Sequence, residues 1–222
     1  MLWPTRCAGC DAAGPSPCTA CVRACRPDTG GPPVHGLDAC LAMLRYEGTA
    51  RRLVTGLKYR NDRAAVGWLA DGMAARLASL GPPAGAAPVV TWAPTSAARR
   101  RGRGFDQAEL LATAVARRAG LPCRRLLARP GRAHAQTGAG AAARRRGPVL
   151  VPRGAVPTAV VLVDDVVTTG ATLAAGARAL RAAGAAWVGG LAAARTPRRV
   201  PVMSRDVDES LKFVTNPAEY PW

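Results

Sequence analysis

Two adjacent carboxylates, Asp164 and Asp165, stand just before a run of small and hydroxyl-bearing residues. Carboxylate oxygens accept hydrogen bonds from hydroxyl groups, including those of a sugar. The residues that follow let backbone N–H groups turn inward to face a tetrahedral anion, and they are Thr168, Thr169, Gly170, Ala171 and Thr172. The segment therefore predicts separate receptors, a few residues apart, for the hydroxyls and the phosphate of a phosphorylated sugar.

The flanking elements should place both receptors at one edge of a sheet. Ala159 to Val163 is an uninterrupted apolar run, typical of a strand covered on both faces, and it puts Asp164 and Asp165 at its carboxyl end. Ligands of open α/β sheets bind at that edge. The segment from Ala171 to Ala183, with Gly184 just beyond, predicts a helix whose positive N-terminal end adds to the anion site.

The two aspartates are isolated in a basic stretch of chain. Between Leu110 and Arg205 there are sixteen arginines, and Asp164 and Asp165 are the only acidic residues. A solvated polar face normally mixes the two signs of charge. The alternative, a turn or helix cap that uses Asp for backbone hydrogen bonds, needs neither the second Asp nor the hydroxyl-rich run.

The composition limits the classes of partner. The net charge of +17 favours attraction to phosphates, but 29 of the 31 basic residues are arginine, which a coding bias toward Arg and Ala also explains. Only ten residues are aromatic, so no base-stacking platform is evident. No stretch approaches the ~18 apolar residues of a membrane span, and the start, MLWPTRCAGC, lacks the core of a signal peptide. We expect a cytoplasmic protein.

Two Cys-x-x-Cys pairs near the start predict a metal site. The four thiols belong to Cys7, Cys10, Cys18 and Cys21. Four soft ligands from two tight knuckles suit tetrahedral Zn²⁺ in a structural role. Two disulfides or incidental cysteines are the alternatives, and disulfides fit a cytoplasmic chain poorly. Cys25 is left open as a substitute ligand, and the Pro- and Gly-rich segment from Pro27 to Gly36 is interpreted as a linker.

Two basic segments precede the acid pair. The first is a short predicted helix that ends at Lys58, one of only two lysines in the chain, and a solvated helix end is the alternative for it. The second follows a predicted strand as a flexible cationic loop that could bind pyrophosphate oxygens, and it carries Arg99, Arg100, Arg101 and Arg103. Asp106 and Glu109 then open a helix with a capping pattern. A solvated basic loop is the alternative.

A third segment, Arg129 to Gly147, consists mainly of Gly, Ala and Arg around Gln136. It has little with which to pack a core, so we expect it to be mobile. A basic lid over a phosphate site and a disordered linker are both left open.

The segment VVLVDDVVTTGAT resembles the signature of type I phosphoribosyltransferases, which bind phosphoribosyl pyrophosphate (PRPP) with Mg²⁺. The resemblance implies that Asp164 and Asp165 hold the ribose 2′- and 3′-hydroxyls and that Thr168 to Thr172 hold the 5′-phosphate. The PRPP-binding segment then includes the intervening Val166 and Val167. A P-loop is excluded, because no Gly-Lys-Ser/Thr follows the glycine.

The order of motifs resembles the ComF/GntX-type phosphoribosyltransferase-like proteins, which are associated with competence for DNA uptake. This resemblance covers roughly Cys7 to Arg195. It implies that zinc is bound by Cys7, Cys10, Cys18 and Cys21. It implies that the basic elements of the site are Lys58, Arg99 and Arg103. Asp106 departs from the family pattern, which has Asn at this position.

The resemblance implies a magnesium-assisted displacement at the anomeric carbon of PRPP. Charge that accumulates on pyrophosphate would be taken by Arg99, Arg100, Arg101 and Arg103. Asp164, Asp165 and Lys58 complete the expected catalytic set. Nothing in the sequence marks the acceptor. Three functions stay open, namely an active transferase, a PRPP sensor without turnover, and an accessory protein that uses its basic surface on single-stranded DNA or the competence machinery.

These elements predict a doubly wound, mainly parallel α/β sheet with a small N-terminal zinc module. The resemblance implies that this sheet is of the type I phosphoribosyltransferase kind. Strands are expected at Val89 to Trp92, Arg125 to Ala128, Ala159 to Val163 and Trp187 to Leu191. Helices are expected at Thr49 to Lys58, Asp62 to Leu80, Gln107 to Ala119 and Ala171 to Ala183. We place the zinc module and linker at residues 1–36, the α/β domain at 37–197, and a tail of unassigned role at 198–222. A homodimer is left open.

Overall fold

A computed structural model of the chain describes residues 6–59, 64–130 and 147–197. Four parallel strands form the main sheet in the order β1, β6, β5, β2. Their bounds are Ala39–Arg45 for β1, Val89–Trp92 for β2, Ala159–Val167 for β5 and Trp187–Arg195 for β6. A small antiparallel pair is made by β3, Leu127–Ala128, and β4, Val151–Pro152.

Helices cover both faces of the sheet. The helices are α1 Thr19–Arg23, α2 Gly48–Tyr59, α3 Val66–Ala74, α4 Ala97–Arg103, α5 Gln107–Ala119 and α6 Ala171–Ala182, and a 3-10 turn spans Ala78–Leu80. One buried cluster packs α2, α3 and α5 against the sheet, and the other packs α6 and the β3–β4 pair against the opposite face. The predicted α/β class with a parallel sheet is therefore confirmed.

The best-predicted elements have clear local signals. Helix α5 has the predicted bounds, because Asp106 caps its start and the left-handed Gly120 ends it. Strand β2 also has its predicted bounds. The helix expected from Asp62 to Leu80 is broken into α3 and the 3-10 turn, and its first two residues lie outside the described residues. The predicted strand at Arg125 to Ala128 is reduced to its last two residues.

Strand β5 is longer than predicted. It continues through the two aspartates to Val167, because β6 continues beside it and pairs Ala194 with Val166 and Arg195 with Val167. On the other side β2 ends at Trp92, the partner of Val163. The carboxyl end of β5 therefore projects beyond the end of β2.

The segment interpreted as a linker packs against the sheet instead. Pro27 forms an antiparallel bridge with Leu44, and the Asp28 N–H donates to the Met43 carbonyl at 3.1 Å. The chain then crosses the carboxyl ends of β6 and β5 as far as Val34, which is buried. Residues 26–28 thus pair with the edge strand β1, and the residues that follow lie over the ends of β6 and β5. The segment 28–34 is called the wall segment.

Within the described parts of the chain, no helix combines the length and apolar character that crossing a membrane requires.

Candidate functional site

The acid pair lies inside strand β5, at the open position beyond the end of β2. Asp164 and Asp165 are both half-buried. The Asp164 carboxylate accepts a hydrogen bond from the Asp165 backbone N–H at 2.8 Å, which fixes its orientation. Two carboxylates are therefore held at the carboxyl edge of the sheet, although the strand includes them rather than ending before them.

The turn at residues 168–172 connects β5 to α6. Thr168 and Thr169 are exposed, and Gly170 is buried with a φ of 76°, a left-handed conformation that glycine adopts without strain. The Thr169 hydroxyl accepts a hydrogen bond from the Ala171 N–H at 3.3 Å. Since α6 begins at Ala171, its N-terminal N–H groups and positive dipole end lie at this turn, as an anion requires.

The predicted cationic loop is a helix. Residues Ala97–Arg103 form α4, in which the Arg100 N–H donates to the Ser96 carbonyl at 2.9 Å. Gly104 follows with a φ of 76°, so glycine terminates this helix rather than loosening a loop. Arg100 and Arg101 are exposed. The side chains of Arg99, Arg103 and Lys58 lie outside the described part of the structure, so their roles stay predictions.

A small cavity of about 90 Å³ lies between β2, α4 and α5. Its basic lining includes Arg100, which the sequence predicts, and Arg125 and Arg129, which it does not. The Arg129 Nε donates to the Pro94 carbonyl at 2.6 Å, so this guanidinium is anchored at the end of β2. Arginine is so frequent in this chain that no sequence signal separates Arg125 and Arg129 from the rest.

Asp106 is a buried carboxylate on the wall of the same cavity. It accepts hydrogen bonds from the Thr95 N–H at 2.7 Å and the Ala108 N–H at 3.1 Å, as the predicted cap requires. Burial raises the pKa of Asp106, these N–H donors oppose the rise, and the nearby charge of Asp165 adds to it. The charge of the acid pair therefore influences a titratable group that lines the small cavity.

Replacing Asp106 with asparagine should remove a pH-dependent destabilising contribution to the free energy of unfolding. Because the folded pKa is raised, the folded chain binds more protons than the unfolded chain between the two pKa values. The free energy of unfolding of the wild type should therefore fall, relative to Asp106→Asn, as pH rises through this interval. Thermal melts of both proteins across the acidic range measure the difference, and a difference that does not change with pH would contradict the raised pKa.

A larger cavity of about 250 Å³ lies on the β6 side of the turn. It is bounded by the wall segment, by Thr168 and Thr169, and by Arg45 and Arg195 at the ends of β1 and β6. No local sequence pattern predicts this cavity, because its lining comes from parts of the chain that are far apart in sequence. The 168–172 turn thus has the larger cavity on its β6 side, and the acid pair and α4 lie on its other side.

The four predicted metal ligands are brought together. The Sγ atoms of Cys7, Cys10, Cys18 and Cys21 all lie within 4.8 Å of one another. The Cys10 and Cys18 sulfurs are 3.7 Å apart, close to the roughly 3.8 Å expected for sulfurs bound tetrahedrally at about 2.3 Å to Zn²⁺. The cluster could hold one metal ion, and its four thiols suit zinc. Cys25 is not part of the cluster.

Local hydrogen bonds prepare one thiol for metal binding. Burial alone would raise the pKa of Cys7, but backbone N–H donors of Cys18, Gly9 and Cys10, with the Cys21 thiol, lower it to about 6. Burial and the neighbouring thiols raise the pKa of Cys21. The hydrogen bonds to Cys7 thus favour its thiolate, which is the form that binds metal.

The first knuckle is packed into the main core. Ala8 is buried in the same cluster as Leu53 of α2 and Val163 of β5. The Arg52 Nε donates to the Gly9 carbonyl at 2.6 Å. A Cβ atom at Gly9 would lie 2.7 Å from the Cys21 sulfur, so glycine permits the close approach. The thiol cluster therefore helps to fix the position of α2.

Fold and site define an α/β protein with two carboxylates and a small-residue turn at the carboxyl edge of a parallel sheet. No protein-family profile and no curated protein matches the chain. Among solved structures, the allosteric regulatory enzyme of purine biosynthesis is similar at 27% identity and a TM-score of 0.39, over 58% of this chain and 25% of that one. The chain thus spans only a quarter of that enzyme.

Two HPRT variants, in which an invariant aspartic acid is replaced by glutamic acid or by asparagine, are also similar to the chain. Each is 15% identical over 62% of this chain, with TM-scores of 0.34 and 0.35 and coverage of 72% and 70% of the HPRT chains. TM-scores this low do not establish a function for this chain.

Proposed function

We propose that the chain is a PRPP-binding, phosphoribosyltransferase-like protein whose site is the carboxyl edge of β5. The observation that carries the proposal is the continuity of the acid pair with the 168–172 turn. Asp164 and Asp165 supply acceptors for ribose hydroxyls, and the turn at the start of α6 supplies N–H donors for a 5′-phosphate. This is the arrangement that the resemblance of VVLVDDVVTTGAT implies.

The arginines near the end of β2 are proposed to bind the pyrophosphate. Arg100 and Arg101 are exposed on α4, beyond β2, and guanidinium groups bind phosphate oxygens through paired donors. Charge that develops on the leaving pyrophosphate would be stabilised there. Arg99, Arg103 and Lys58 keep the roles that the resemblance gives them. The acceptor stays unassigned.

Magnesium fits the residues present. Asp164 and Asp165 provide hard oxygen donors beside the proposed positions of the ribose hydroxyls and pyrophosphate, as Mg²⁺ prefers. When bound, the ion would neutralise charge on the pyrophosphate. The carboxylates orient the hydroxyls, the turn holds the phosphate, and the arginines receive the leaving group. A link to DNA uptake rests on the ComF/GntX-type resemblance alone.

Calorimetric titration with PRPP, with and without Mg²⁺, tests the proposal. We expect one site per chain, binding that weakens when EDTA removes Mg²⁺, and weaker binding of ribose 5-phosphate, which lacks the pyrophosphate. Adenosine serves as a control because it has ribose hydroxyls without a phosphate. The absence of PRPP binding in the presence of Mg²⁺ would overturn the proposed function. Pyrophosphate release with added acceptors then separates a transferase from a sensor.

A further inference from the structure

A buried ion pair lies below the larger cavity. The Arg195 Nε donates to the Asp28 carboxylate at 3.0 Å, and each side chain is only 6% exposed. The Arg195 Nη2 also donates to the Cys40 carbonyl at 2.9 Å. Breaking a buried pair leaves one charge uncompensated, so this contact holds its two segments firmly together.

Arg195 is directly connected to the end of β5. It is the last residue of β6 and pairs with Val167, the residue before the 168–172 turn. The next residue, Thr196, donates its N–H to the Val167 carbonyl at 2.9 Å. Arg195 is therefore fixed to the strand from which the turn begins.

The wall segment reaches the turn from the other side. A Cβ atom on Gly31 would lie 2.9 Å from the Arg195 guanidinium, so glycine lets the segment pass closely over this side chain. A Cβ atom on Gly170 would lie 2.9 Å from a Val34 methyl group, so Val34 packs directly on the glycine of the turn. The wall segment thus begins at Asp28, which pairs with Arg195, and ends at Val34, which packs on Gly170.

We propose that Asp28 and Arg195 are positioning residues that hold the wall segment against Gly170 and thereby set the conformation of the 168–172 turn for phosphate. Val34 transmits the contact. The inference rests on the proposed function, because it takes the turn as the receptor of the 5′-phosphate. It adds residues from outside the VVLVDDVVTTGAT segment to the determinants of phosphate affinity.

A second ion pair offers a matched control. The Asp38 carboxylate accepts from Arg181 Nη2 at 2.6 Å and from the Val188 N–H at 2.7 Å. It also joins the chain before β1 to α6, but near the amino end of the sheet, away from the turn. A general loss of packing between these segments should affect both pairs, whereas only the Asp28–Arg195 pair holds the wall segment against the turn.

The test measures two ligands by calorimetry, ribose 5-phosphate and inorganic pyrophosphate, on the full chain. Asp28→Asn and Val34→Ala should each weaken ribose 5-phosphate binding about tenfold, because a displaced turn would no longer present one of its N–H groups to the charged phosphate. Pyrophosphate binding should change less than about twofold, because α4 follows β2, whereas the wall segment begins beside β1 at the opposite edge of the sheet. Asp38→Asn should change neither affinity. Val34→Ala keeps the ion pair and guards against poor folding of Asp28→Asn.

The outcomes separate the inference from the proposed function. Unchanged ribose 5-phosphate affinity in Val34→Ala and in folded Asp28→Asn would overturn the inference, while wild-type PRPP binding would leave the proposed function standing. An equal loss of both ligands would also overturn it, because a merely structural role predicts that result. If the wild type bound neither PRPP nor ribose 5-phosphate, both the inference and the proposed function would be overturned.

Discussion

Exchange of both Asp164 and Asp165 for asparagine should abolish measurable Mg²⁺-dependent binding of PRPP while the chain stays folded. The two carboxylates are half-buried at the open end of β5, so neither is required to fill the core. Asparagine keeps the size of the side chain and one acceptor oxygen but removes the charge. The loss should therefore fall on the ligand and its metal rather than on the fold.

The expected size of the effect follows from the charge that is lost. A hydrogen bond to a charged group contributes about 1.5–3 kcal/mol, so each single variant should weaken PRPP binding about 10- to 100-fold. The double variant should lose more than either single variant. Calorimetry with Mg²⁺ present measures all three, and circular dichroism verifies that each chain is folded.

Asp71→Asn provides the matched control. Asp71 is an exposed carboxylate that pairs with Arg118 on the surface of α5, away from the carboxyl edge of the sheet. It changes the net charge by the same amount as each single variant, so it separates local chemistry from the general field of this basic chain. Equal PRPP affinity in Asp164→Asn, Asp165→Asn and Asp71→Asn would place the sugar site elsewhere.

Loss of the Cys7 thiol should release the metal and lower the melting temperature by at least about 10 °C. Cys7 is buried, and its neighbour Ala8 belongs to the same buried core cluster as Leu53. A serine hydroxyl cannot replace a thiolate in a four-sulfur site without a large loss of affinity. Elemental analysis should give about one zinc per wild-type chain and much less in Cys7→Ser.

Cys25→Ser is the control for the metal. Cys25 is half-buried and does not belong to the cluster, so its replacement should keep both the zinc and the melting temperature close to wild type. A strong chelator should shift the melt of the wild type toward that of Cys7→Ser. If wild type and Cys7→Ser carry the same metal content and melt together, the four thiols do not form a metal site.

Local sequence patterns predicted those elements whose determinants are close together in the chain. Helix α5 carries its own start at Asp106 and its own stop at Gly120. The thiol cluster follows from two Cys-x-x-Cys pairs, and the structure brings the four sulfurs together. Strand β1 was not predicted, because Ala39–Arg45 lacks a continuous run of β-branched residues and its partner β6 is distant in sequence.

The parts that could not be predicted depend on distant contacts. The Pro- and Gly-rich composition of residues 27–36 is typical of a linker. Asp28 nevertheless pairs with Arg195, which is far from it in sequence. One arginine among 29 carries no mark that identifies this partner. The continuation of β5 past the acid pair similarly depends on the length of β6. Local sequence patterns therefore indicate the acid pair and the turn but not the wall segment that packs on the turn.

The burial of Ala8 in the same core cluster as Leu53 and Val163 has a thermodynamic consequence. A metal that fixes the first knuckle and a ligand that binds at the end of β5 both favour the same packed arrangement. Two ligands that stabilise one folded state each shift the folding equilibrium toward it, so occupancy of either favours occupancy of the other whenever the fold is marginal. Supply of metal to the N-terminal thiols would thus influence how much of the chain is competent to hold a sugar phosphate.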